Sequence, residues 1–145
     1  MAHPLIDRVR QQVEAVHAFF AAWFGGTLPA RDETFQQQFL DHFHPGFTFV
    51  SSAGTVLDLD GLAREIRAAH GASPGLAIAV HDIRIRHVTG QTILATYEEW
   101  QRHDGDVVGV VASVWLERAD TLRWLHVHET PLNGAPPADM PLPSS

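Results

Sequence analysis

The stretch Val107-Val-Gly-Val-Val-Ala-Ser-Val-Trp-Leu-Glu-Arg118 decides the architecture. Read with the period of a strand, one face carries Val108, Val110, Ala112, Val114 and Leu116, and the other Val107, Gly109, Val111, Ser113 and Trp115. An antiparallel sheet with one wet face alternates apolar with polar residues. This strand does not, so both of its faces need cover. Similar segments flank it. Strands are expected at 76–88, 91–103, 107–118 and 121–130, joined by turns at Thr89-Gly90, Asp104-Gly105 and Ala119-Asp120. Links this short pair consecutive strands antiparallel.

The first half of the chain supplies cover for one side. Leu5, Val9, Val13, Val16 and Phe20 recur at helical spacing over residues 4–24, with Pro4 in the first turn and Gly25-Gly26 as a stop. A second helix is expected from Glu33 to Phe43, capped by Asp32, and a third from Leu62 to His70, capped by Asp60 and ended by Gly71. Between them Phe47–Ser52 and Thr55–Leu57 read as short strands around an Ala53-Gly54 turn. Three helices cover one sheet face only. The most economical cover for the other is a second copy of the same sheet, which predicts a homodimer through the outer face. The expected fold is α+β: a cone-shaped, curved, mainly antiparallel sheet packed against three N-terminal helices. One domain spans 1–132, and a Pro-rich tail, 133–145, is expected to be extended or disordered.

Composition bounds the function. A chain of 145 residues buries roughly two thirds of its unfolded surface without staples. The formal charge is −7, the ten basic residues are all arginine, and they are scattered. Nucleic acid and anionic membranes need a basic footprint and are not expected partners. The chain has no cysteine, hence no disulfide frame and no thiol nucleophile. No run approaches the ~18 apolar residues of a membrane helix and the first residues do not read as a secretion signal, so a cytoplasmic location is expected. No phosphate-binding Gly-rich loop or nucleophile elbow is present, and no cofactor is expected.

Several motifs carry a family likeness: Phe47-Thr-Phe49, the turn Gly54-Thr-Val-Leu-Asp-Leu-Asp-Gly61 leading into a helix, Thr96-Tyr-Glu-Glu-Trp100 and Leu122-Arg-Trp-Leu-His-Val-His-Glu129. With the order of elements, they make residues 47–132 resemble the nuclear transport factor 2-like superfamily, in particular its SnoaL-like domains of unassigned function. The resemblance implies a pocket between the concave sheet face and the helices, and dimerisation through the convex face. The final strand is also similar to that of the calcium/calmodulin-dependent kinase association domain. There the residue after His-x-His directs an arginine into the pocket; here it is Glu129. The catalytic sets of the superfamily's better-known enzymes do not map residue by residue, and the sole tyrosine is Tyr97.

Glu98 and Glu99 leave a strand on opposite faces. By parity with Thr96 and Trp100, and by the resemblance, Glu98 is expected in the cavity, opposite Glu129 on the last strand. Two carboxyls in a dry pocket acquire different pKa values, which suits them to acid and base roles. The competing expectation is that Glu98 or Glu99 pairs with Arg84 or Arg86 across the neighbouring strand. Phe20, Thr96, Trp100, Ser113, Trp115 and Val127 are the expected pocket walls. His126 and His128 lie on one strand face with Cα atoms about 6.5–7 Å apart. They lack an evident third ligand, so no metal site is expected and they are placed at the rim or the dimer side. The function expected is binding of a small apolar or neutral molecule, with Glu98 and Glu129 as acid and base for cofactor-independent isomerisation, dehydration or hydrolysis. The alternative is a non-catalytic dimerisation or accessory module whose cavity is filled by its own side chains.

Overall fold

The computed structural model describes residues 4–138. Part of the expected tail, 139–145, and residues 1–3 lie outside the described residues. Helix α1 (Leu5–Gly25) opens on Pro4 and closes on Gly26, whose φ of 81° lets its N–H turn back to the Ala22 and Trp23 carbonyls. Helix α2 is shorter than its sequence suggests. It covers Asp32–Gln38, and a single 3₁₀ turn, Leu40–His42, follows. The break falls at Phe39, which leaves helical geometry and is fully buried, its ring against Phe19, Phe35 and Phe43. Burial of that ring overrides the helical pattern, and Phe43 becomes the first residue of strand β1 (Phe43–Val50). Strand β2 (Val56–Asp58) leads into helix α3 (Leu59–Ala68). Its cap is Asp58 rather than Asp60: the Asp58 carboxylate accepts the Gly61 N–H at 2.8 Å.

Strands β3 (Ala77–Thr89), β4 (Thr92–His103), β5 (Asp106–Arg118) and β6 (Leu122–Leu132) form the antiparallel meander. The six strands make one curved, unclosed sheet in the order β2-β1-β6-β5-β4-β3, with β1 and β6 as the parallel pair. Pro131 is accommodated inside β6, opposite Val110. At that level β1 has already ended, its last pair being Val50 with His128, so β6 has a neighbouring strand on one side only.

Register fixes which side chains share a face. Reading across β4, β5 and β6, one face stacks the rows Ile93–Leu116–Trp124, Ala95–Val114–Val127 and Tyr97–Ala112–Glu129. The opposite face stacks Leu94–Trp115–His126, Thr96–Ser113–His128 and Trp100–Gly109–Leu132. The first face is the buried one and receives α1 and the ring cluster of Phe19, Trp23, Phe35, Phe39 and Phe43. In β6 the two sets do not follow simple alternation. Trp124 sits opposite Leu116 and His126 opposite Trp115, so Leu125 is one extra residue. This β-bulge brings Trp124 and Val127 to the same side, three positions apart. Strict alternation puts Trp124 with His126 and His128; the bulge separates them.

The outer face is half-exposed. Its best-packed element is Trp100, 3% exposed, whose ring lies flat over Gly109. A Cβ on Gly109 would stand 2.6 Å from that ring. Glycine is therefore required there by the close approach, not by backbone conformation.

Candidate functional site

The concave face and the helices enclose a cavity of about 360 Å³. Its walls include Phe20 and Phe24 from α1, Phe43, Phe47 and Phe49 from β1, Leu62 and Ile66 from α3, and Trp124 and Val127 from β6. The polar lining is His17, Glu65, Tyr97, Glu99, Gln101 and Glu129.

His17 and Glu99 are the most buried charged pair. His17 lies one residue beyond Val16 on the apolar stripe of α1, which turns its ring onto the sheet. Its Nδ1–H donates to the Val13 carbonyl at 2.7 Å, which directs Nε2 to Glu99 Oε1 at 2.8 Å. Gln101 donates to the other Glu99 oxygen at 2.5 Å. Burial opposes the charged form of both partners, but their mutual attraction and hydrogen bonds outweigh it. Glu99 is held below the usual carboxylate value and His17 above the usual imidazole value. The pair is thus an imidazolium against a carboxylate. The Tyr97 hydroxyl stands 3.5 Å from His17 Nε2. Burial, followed by the charges of Glu99 and Glu129, pushes its pKa well up and keeps it a neutral phenol.

Glu129 occupies a different environment. It is half-buried and is placed in the same row as Tyr97, across Ala112. Among the described residues no hydrogen-bond donor reaches its carboxyl. Desolvation, reinforced by the Glu99 charge and only partly offset by His17, raises its pKa to about 7. One face therefore holds two carboxyls of opposite character, Glu99 ionised and paired, Glu129 close to half-protonated at neutral pH.

Of the residues expected to form the pocket, Phe20, Val127 and Glu129 line it. Thr96, Trp100, Ser113 and Trp115 do not; they stand in the outer-face rows. Glu98 does not line it either. Its carboxylate accepts the Trp100 indole N–H at 2.9 Å, which fixes both on the outer side, and Glu99 faces the cavity. The arginine pairing expected for Glu98 or Glu99 is also replaced: Arg84 pairs with Asp82 and Arg86 donates to Thr96. Thr96, Glu98 and Trp100 do share a face, but it is the outer one. Ala95 and Tyr97, the small and apolar members of β4, mark the inward side, and Glu99 follows them at the next step of two. His17 is absent from the sequence expectations, although a histidine inside an apolar helix stripe is the visible signal.

His126 and His128 face away from the cavity, in rows with Trp115 and Ser113. His126 Nδ1 and the Thr48 hydroxyl are 2.6 Å apart. Among the described residues no group of three His, Asp or Glu side chains is placed to hold a metal ion.

Residues 9–133 match the family model described as sucrose-6-phosphate phosphohydrolase C-terminal. The chain belongs to this family. Sucrose-phosphatase 2 of Nicotiana tabacum is 27% identical over 135 residues, a match that covers 88% of this chain and 32% of the tobacco protein. The chain thus spans about a third of that relative's length. Among solved structures, an NTF-2-like protein of unknown function from Pseudomonas aeruginosa superposes with a TM-score of 0.80 at 24% identity, covering 87% of this chain and 99% of its own. The hub homology domain of Chlamydomonas reinhardtii calcium/calmodulin-dependent kinase II has a TM-score of 0.67 at 14% identity, with coverages of 90% and 100%. The fold of this chain is therefore NTF2-like, as the sequence motifs indicate. Among the described residues no helix is long and apolar enough to cross a membrane.

Proposed function

We propose that the cavity binds a small, largely apolar molecule and that Glu129 exchanges a proton with it. The observation that carries this reading is an unpartnered carboxyl, with a pKa near 7, facing an open cavity of about 360 Å³. A group poised there serves as general acid or general base at neutral pH. The Glu99 carboxylate supports it by adding a negative charge that His17 only partly offsets, and the neutral Tyr97 hydroxyl adds a second donor or acceptor. Isomerisation, dehydration or hydrolysis without a cofactor are the reactions such a set suits. The alternative, a module whose cavity is plugged by its own side chains, is less well supported, because the cavity is open and Glu129 has no partner. Hydrolysis of a sugar phosphate, which the tobacco protein's name suggests, is also poorly supported. A phosphate entering here would meet Glu65, Glu99 and Glu129 and no arginine among the lining residues.

The test is a melting series on wild type and Glu129→Gln, at pH 5 and pH 8, with and without small lipophilic amines, alcohols and carbonyl compounds. A carboxyl raised from 4.5 to about 7 favours the unfolded state as it ionises. Stability is therefore lost as pH climbs between those values. The full cost is about 3 kcal/mol, and about 2 kcal/mol after allowance for the solvent that reaches a half-buried group. Glu129→Gln is expected to be more stable than wild type at pH 8 and equal to it at pH 5. If no compound raises the melting temperature of wild type, the binding reading fails.

For the outer face we propose a second copy of the chain. Leu94, Val111 and Trp115 lie half-exposed along its centre, next to Trp100, on a sheet whose other side is already covered. Sedimentation at micromolar concentration is expected to give twice the chain mass, and Trp115→Arg to give the monomer. A wild-type monomer under those conditions removes the proposal.

A further inference from the structure

The lining of the cavity combines aromatic rings with carboxyl groups. Ring faces dominate one part of the wall, with Phe20, Phe43, Phe49 and Trp124 among them. Aromatic faces carry a negative quadrupole and attract cations, most strongly where water is excluded. The acidic groups come from three elements: Glu65 on α3, Glu99 on β4 and Glu129 on β6. A single cation opposes them, His17 on α1, and it is already engaged by Glu99. No arginine lines the cavity, and the chain has no lysine. Two independent features, rings and carboxyls, thus favour positive charge; of the two lining carboxyls that no described protein donor reaches, Glu65 is exposed and Glu129 is half-buried.

We propose that the ligand is a small amine carrying one positive charge on an apolar body of ring size, with its ammonium on the Glu129 carboxylate and its body against the aromatic wall. The proposal rests on the cavity reading and narrows it to a chemical class. An ammonium supplies Glu129 with the donors it lacks and offsets its desolvation once it is ionised. A neutral alcohol or carbonyl compound leaves the charge uncompensated. A carboxylate or phosphate adds to it. The groups facing Glu129 are Glu99 and Tyr97 from β4, His17 from α1 and Glu65 from α3. Tyr97 stays neutral and His17 stays paired, so Glu129 is the group whose proton an arriving ammonium displaces.

The experiment is calorimetric titration of the full chain with three compounds of matched body: phenethylamine, 2-phenylethanol and phenylacetate. At pH 7.5 phenethylamine is expected to bind at least tenfold more tightly than 2-phenylethanol, with no binding of phenylacetate. Glu129→Gln should bring phenethylamine to the level of the alcohol and leave the alcohol's own affinity within about twofold. Titration of wild type at pH 6 in two buffers of different ionisation enthalpy should show release of close to one proton per amine bound, a measurement that needs no variant. If the alcohol binds as tightly as the amine, or if no proton is released, the cationic ligand is ruled out while the cavity reading stands. If none of the three binds, both fall.

Discussion

His17→Leu is expected to destabilise the protein by about 3–5 kcal/mol at pH 7, the cost of leaving one member of a buried ion pair behind. Glu99 is 8% exposed, and without the imidazolium its remaining donor is Gln101. The nearest other ionisable carboxyl in the cavity, Glu129, repels it. The pH dependence follows from the pKa directions. In wild type the depressed Glu99 stabilises above the ordinary carboxylate value, and this is lost as pH falls through its lower folded value. The raised His17 stabilises below 6.5, and this is lost as pH rises through its higher folded value. In the variant, Glu99 is buried without a cation and its folded pKa lies above the ordinary value, so its ionisation opposes folding. The deficit against wild type is therefore large at pH 7 and smaller at pH 5. The double variant His17→Leu/Glu99→Leu should recover most of the loss, since apolar side chains tolerate this site better than a lone charge. Urea unfolding of the two single variants and the double at both pH values reads the coupling directly. Single losses that simply add up in the double variant would show that the pair does not act as a unit.

Trp23→Ala carries the other large effect, also about 3–5 kcal/mol. The indole is 2% exposed, stacks on Phe19, meets Phe35 and His70, and donates to the Ile66 carbonyl at 2.7 Å. Its own carbonyl accepts the Gly71 N–H at 3.0 Å. Trp23 thus ties α1 to the end of α3, the helix that contributes Leu62, Glu65 and Ile66 to the cavity wall. Replacing it leaves a large void, and the Ile66 carbonyl keeps only the Ala69 N–H. Trp23→Phe retains the ring stacking and loses the indole hydrogen bond, for about 1–2 kcal/mol. Chemical denaturation gives the magnitudes. Amide exchange should show α3 opening faster than β4 and β5 in the alanine variant; uniform exchange across the chain would argue against a local tie.

The architecture was legible because it is written in periodicity. Strand β5 marked the centre of the sheet, the turn dipeptides set the meander, and Gly26 ended α1 where the pattern stopped. The second helix was overestimated because Phe39, Leu40 and Phe43 sit at spacings that suit a helix and a turn into a strand equally well. The ring cluster decided between them. The site was only half legible. Glu129 could be found as an acid where a related domain has a base. Its neighbours could not, because alternation along β4 groups Glu98 with Thr96 and Trp100 without saying which face is inward, and because His17 lies 82 residues from Glu99 on an element joined to it only by the fold.

Leu125, the extra residue of β6, sets the faces of every residue that follows it. Side chains on a strand are assigned to faces by counting, and an inserted residue resets the count for everything beyond it. Downstream of Leu125 the inward positions go to Val127 and Glu129 and the outward ones to His126 and His128. The same letters counted from an unbulged strand would present two imidazoles to the cavity in place of one carboxylic acid. In this fold the chemistry of the chamber can change through a one-residue insertion or deletion in its last strand, with no change in the types of residue the strand contains.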